Sequence, residues 1–122
     1  MLLIKDGKRD LALASLRALR KKSPKSAYIP FLLGNLYTDQ RWWSVAMDDY
    51  ADAIHKNPQY KSNPTLNRNV IRMLASPKTQ GKASAFLRSI GHPAHQYLEY
   101  AAKHEDNPIV KKKAAELARY IR

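Results

Sequence analysis

Few residues in this chain have chemistry to offer. The histidines are His55, His92, His95 and His104. His92 and His95 straddle Pro93 at the start of a helix, whereas a metal site needs a third ligand and usually an i,i+4 pair on one helix face. All four are expected at the surface or at helix caps. Asp48, Asp49 and Asp52 share one helix flank. A general acid–base pair would also need a nucleophile or an orienting partner, and neither is near in sequence; these carboxylates read as an exposed acidic stretch of a basic protein. There is no cysteine, so no thiolate nucleophile, disulfide or cysteine zinc site is available. The four glycines form no phosphate-cradling loop. The expectation is a protein that is not an enzyme and holds no metal or cofactor.

Charge and aromatics leave binding as the remaining chemistry. Lys and Arg number 22 against 10 Asp and Glu, a net charge of +12 over 122 residues, which favours nucleic acid, anionic membranes or acidic protein surfaces. Denser basic groups stand at Arg20, Lys21, Lys22 and Lys25 and at Lys111, Lys112 and Lys113, where a solvated helix end is the plain alternative. Of the pair Trp42 and Trp43, at least one is expected to pack and the other to be partly exposed. The opening MLLIKDGKRD is apolar for too few positions to form a signal-peptide core, and no run approaches a membrane span. A soluble, cytoplasmic chain with no membrane contact follows as the expectation.

The elements that must position these residues read as helices throughout. Apolar residues recur at three- and four-residue spacing between Gly and Pro breaks, and no segment alternates as a strand would. The pattern predicts helices at about 8–22, 26–39, 42–56, 63–75, 79–90, 93–104 and 108–121. Breaks fall at Ser23-Pro24, Asn57-Pro58, Ser76-Pro77, Gly91-His92-Pro93 and Asn107-Pro108, because the residue before a proline is driven out of the helical region. Short connections make successive helices antiparallel neighbours.

Two internal periods follow. Pro24 and Pro58 lie 34 residues apart, and Ala12, Leu16 and Leu19 match Ala46, Tyr50 and Ala53, with Gly7 at the turn position held by Arg41. The segment AYIPFLLGNLYTDQRWWSVAMDDYADAIHKNP, from Ala27 to Pro58, carries Leu33-Gly34, Tyr37, Ala46, Tyr50, Ala53 and Pro58. It closely resembles a tetratricopeptide (TPR) repeat, with Pro30 replacing the usual bulky residue early in the first helix. In the second half SPKTQGKASAFLRSI and NPIVKKKAAELARYI align at an offset of 31. These look like the second helices of HEAT-type repeats, although a generic helical hairpin fits as well.

The resemblance implies an all-α fold, a right-handed α-solenoid of stacked antiparallel hairpins: TPR-type over residues 1–60, the first hairpin incomplete, and HEAT-like over 61–122, forming one continuous solenoid. In TPR proteins the first helix of each hairpin lines a concave groove. Carried over by position, the groove residues are Tyr28, Phe31, Leu32, Asn35 and Asp39, then Thr65 and Asn69 at the positions of Phe31 and Asn35, and Arg72 one turn beyond. Asn35 and Asn69 have the type that holds a peptide main chain by donating and accepting together. Phe31 stands where a carboxylate clamp would have its lysine, so capture of a C-terminal carboxylate is not implied.

The implied function is a protein-interaction scaffold whose partner is another protein or peptide, an acidic one suiting the charge; nucleic-acid binding through the basic surface is the alternative. TPR hairpin followed by DNPIVKKKAA is also similar to C-terminal helical tails of bacterial Ser/Thr protein kinases and their TPR scaffolds, which implies a signalling setting. The chain itself lacks the HRD and DFG signatures. It reads as the C-terminal part of a longer protein. Leu2, Leu3 and Ile4 could form an edge that pairs with a second copy.

Overall fold

The computed structural model describes residues 2–122, with side chains from residue 8 onward. Seven α-helices form: α1 Leu2–Lys22, α2 Tyr28–Asp39, α3 Trp43–Lys56, α4 Pro64–Arg72, α5 Gln80–Ile90, α6 His92–His104 and α7 Pro108–Tyr120. Short 3-10 turns cover Pro58–Ser62 and Met73–Ala75. No strand occurs among the described residues, and none of their helices is long and apolar enough to cross a membrane. The chain divides into two compact units, Met1–Pro58 and Gln59–Arg122.

In the first unit α2 and α3 form the tightest pair. Pro30 sits in the first turn of α2, where its missing N–H has no helical acceptor to lose. Ser26 Oγ takes the neighbouring amide of Ile29 at 3.4 Å. The helix ends in a Schellman motif: Arg41 N donates to Thr38 O at 3.0 Å, and Trp42 N to Tyr37 O at 2.9 Å. That motif needs a left-handed residue, and Arg41 supplies it with φ 65°. Trp43 then fastens the turn, donating from Nε1 to Thr38 O at 3.2 Å.

Leu33, Gly34, Tyr37, Ala46, Met47, Tyr50 and Ala53 are buried between α2, α3 and α1. Gly34 lies directly under the Tyr50 ring, so the small residue sets the interhelical distance and the aromatic fills the gap it leaves. Each large apolar side chain buried here contributes about 1.5–3 kcal/mol.

α1 departs from expectation in two ways. Gly7, expected at a turn, lies inside a continuous helix. Leu19, at the repeat position of buried Ala53, is 48% exposed, while among the described side chains of α1 Leu13 is the buried one. The physical reason is that burial needs a neighbour on that side: α1 packs on α2 and clamps α3 through Arg20, and Leu19 stays half in solvent. The side chains of Leu2, Leu3 and Ile4, read as a pairing edge, lie outside the described ones.

The second unit is built on helix starts that the prolines fix. Asn63 Oδ1 accepts Leu66 N at 3.0 Å with Pro64 in the first turn of α4; Asn107 Oδ1 accepts Ile109 N at 2.9 Å and Val110 N at 3.3 Å, with Pro108 opening α7. Gly91, at φ 77°, ends α5 and begins α6 in one residue. Thr79 and Gln80 donate to the carbonyls of Met73 and Leu74, closing the end of the α4 segment. Leu66, Val70, Leu87, Leu98, Val110 and Ala114 form the fully buried centre. Of the residues aligned at the 31-residue offset, Ala83 with Ala114 and Ile90 with Ile121 face inward, Phe86 is half-buried where Leu117 is buried, and Arg88 and Arg119 are exposed.

Candidate functional site

The residues expected to line a groove fall on two helices, one in each unit. On α2, Tyr28 is 59% exposed, Asp39 is exposed, and Leu32 and Asn35 are half-buried. Phe31 instead turns inward: it is buried, its ring 6.4 Å from Tyr28 and 6.1 Å from Tyr50. Asn35 has a duty that the sequence did not indicate. Its Oδ1 accepts the Tyr50 hydroxyl at 2.5 Å, so the amide stabilises the hairpin as well as facing outward.

On α4, Thr65 and Arg72 are exposed and Asn69 is half-buried. Arg72 borders a cavity. A cleft of about 410 Å3 opens between α4 and α6, with Arg68, Ile71 and Arg72 on one wall and Tyr97, Tyr100, Ala101, His104 and Glu105 on the other. Arg68 and Arg72 are one turn apart on the same face. Neither guanidinium makes a hydrogen bond or ion pair among the described residues. Tyr97 is fixed, donating from its hydroxyl to Ser62 O at 2.8 Å. Tyr100 is 61% exposed and packs its ring 4.4 Å from that of His104. Ile71 and Ala101 supply a buried apolar floor.

Such a cleft suits one anionic side chain. Two guanidiniums offer charge-assisted hydrogen bonds, while the tyrosine–histidine pair and the floor take an apolar neighbour. Glu105 tempers the charge: with histidine neutral, the walls carry a net +1, which matches a monoanionic carboxylate better than a dianionic phosphate. Sequence reasoning reached Arg72 but missed Arg68, Tyr97, Tyr100 and His104. The signal was present, since 68 and 72 on α4, and 97, 100 and 104 on α6, each recur at helical face spacing.

The titratable cluster of the first unit has a different role. Arg20 of α1 donates from Nη1 to Asp49 at 2.9 Å and from Nη2 to Asp52 at 2.5 Å, and Lys56 donates to Asp52 at 3.0 Å. Burial pushes the Asp49 carboxyl above its ordinary range, and Arg20 only partly offsets this. Burial also opposes ionisation of Asp52, but hydrogen bonds from Lys56 and Arg20 outweigh it and hold Asp52 below that range. The expected exposed acidic stretch is therefore, in part, a clamp between α1 and α3: Asp48 is exposed, whereas Asp49 is buried.

His95 also serves packing. Its Nδ1 meets the Ile121 carbonyl and its Nε2 lies 2.6 Å from Glu99, which ties the chain end to α6. No group of three His, Asp or Glu among the described residues is arranged to hold a metal ion. The chain matches no family model, no curated protein and no solved structure.

Proposed function

We propose that this chain is a protein-interaction module that seats a short acidic segment of a partner protein in the cleft between α4 and α6. The observation that carries this reading is the pair Arg68 and Arg72, unpaired among the described residues, above an apolar floor and beside the Tyr100–His104 rings. Charge-assisted hydrogen bonds from the two guanidiniums would fix a carboxylate, and the rings would cover the residue beside it. The α2 side chains Tyr28 and Asp39, which are exposed, and Leu32 and Asn35, which are half-buried, are a second contact face in the same reading. The right-handed solenoid order implied by the TPR resemblance is part of the proposal, as are the bacterial signalling setting and the cytoplasmic location.

The test is an amide-shift NMR titration with a degenerate hexapeptide pool carrying one fixed central Glu. Shifts should concentrate at Arg68, Arg72, Tyr100 and Ala101. The double variant Arg68→Gln, Arg72→Gln should weaken binding about tenfold or more, the scale of one lost charged hydrogen bond or more. A pool with Gln in place of Glu that binds equally well would sink the reading. So would shifts scattered over both units.

A further inference from the structure

The first unit contains another cleft, far from α4 and α6 in sequence and built from different chemistry. It is an open concavity of about 650 Å3 between α1 and the α2–α3 turn, walled by Arg9 and Arg17 on one side and by Asp39, Arg41 and Trp42 on the other. Trp42 stacks one face of its indole on Tyr37, with ring centroids 5.7 Å apart and planes within 12°, and is still 57% exposed. Arg17 covers Tyr37 in turn, its guanidinium 5.6 Å from the ring centroid, and donates to the Tyr37 hydroxyl. Trp42 is thus a rigid aromatic platform, held in place and left bare.

Arg41 adds a third cation to the lining. It is the only non-glycine residue with positive φ among those described, at 65°. A left-handed arginine is disfavoured by roughly 1–2 kcal/mol, and glycine would relieve this. Arg41 lines the cleft from the left-handed position that ends α2, where glycine would serve the fold better. Along α1, Arg9 and Arg17 both line the cleft, and Lys21 stands one turn beyond Arg17.

We infer that this cleft binds single-stranded nucleic acid, with a base stacked on Trp42 and the phosphates held by Arg9, Arg17 and Arg41. Base–aromatic stacking beside a basic groove is how single strands are held without sequence readout. The two carboxylates of the lining, Asp10 and Asp39, select between ligands. The side chains of an acidic peptide bring only further acceptors against them. A nucleobase instead presents an amino edge, and a carboxylate accepts from it as Asp and Glu do from cytosine. Oligocytidylate should therefore bind better than oligothymidylate. This site is independent of the peptide cleft.

Intrinsic fluorescence reads the site directly. In a Trp43→Phe variant Trp42 is the sole indole, and a single-stranded oligodeoxycytidylate of about twelve nucleotides should quench it. Anisotropy of the labelled oligonucleotide with the unmodified chain gives a second measurement if that variant folds poorly. Affinity should fall with salt at a slope corresponding to about two or three phosphates. Trp42→Ala and Arg41→Gly should each weaken binding by roughly fivefold or more, while Arg41→Gly should melt no lower than the parent. Absence of binding, salt-independent binding, or equal binding by polyglutamate would overturn the inference. Unchanged affinity in both variants would overturn it too. Peptide occupancy is followed at the amides of Arg68 and Arg72 in a separate titration, so either site can fail without the other.

Discussion

Gly34 and Tyr50 meet across the α2–α3 hairpin with no room for a methyl group between them. A Cβ on Gly34 would stand 2.5 Å from Cδ1 of Tyr50 and closer still to Cε1. The ring cannot yield cheaply, because it is fully buried and its hydroxyl is held by Asn35. Gly34→Ala gains up to about 1 kcal/mol in helix propensity, but overpacking of this kind costs about 1–3 kcal/mol. The clash should win. Chemical denaturation should give a lower midpoint for Gly34→Ala, and a stabilised variant would contradict this packing.

The hydrogen bond from Tyr50 to Asn35 makes a second, separable contribution. Tyr50→Phe and Asn35→Ala should each destabilise the chain by about 1–2 kcal/mol. The double variant should lose less than the two added together, since both remove the same bond. Strict additivity in the denaturation cycle would mean that the bond carries no stability. The sequence reading of Asn35 as a ligand-facing amide predicts no such loss.

The carboxylates clamped by Arg20 should move acid stability in opposite senses. Asp52 titrates below its ordinary 3.8, so the unfolded chain binds its proton first, and Asp52 contributes stability that is lost as pH falls through the folded value. Asp49 titrates above 3.8, so the folded chain binds that proton first, and stability from this residue fades as pH rises through the folded value. Asp52→Asn should therefore flatten the acid limb of the melting temperature against pH. Asp49→Asn should steepen it, helped by the removal of a like charge from Asp52. The same slope in both variants would refute the assignment.

Buried Asn67 offers an isosteric test in the second unit. Its Nδ2 donates to Lys61 O and Asn63 O, each at 2.9 Å, which fastens the turn that starts α4. Asn67→Ala should cost about 1–3 kcal/mol for the lost bonds. Asn67→Asp should cost more despite its equal size, because a carboxylate would face two carbonyl oxygens in a buried site. A milder Asp than Ala variant, compared by urea denaturation at neutral pH, would rule out this donor geometry.

The sequence by itself determined the helices and most of their ends, the start of α1 excepted, since Gly7 lies inside that helix and not at a turn. Pro64, Pro93 and Pro108 fall in the first turns of α4, α6 and α7, and Gly91 joins α5 to α6, because proline and glycine act on the local backbone whatever the surroundings. Gly34 and Tyr50 both stood out in the repeat pattern, but it was the packing that brought them together. The tertiary structure decided what could not be read from spacing within one helix. Phe31 is buried although its position suggested a groove, Asn35 bonds to Tyr50, and Asp49 meets Arg20 across 29 residues of chain. Both clefts arise in the same way: Arg68 and Arg72 acquire Tyr100, and Trp42 acquires Arg9 and Arg17, only when separate helices pack. Helical periodicity fixes which residues share a face, and the choice of neighbour for that face belongs to long-range packing.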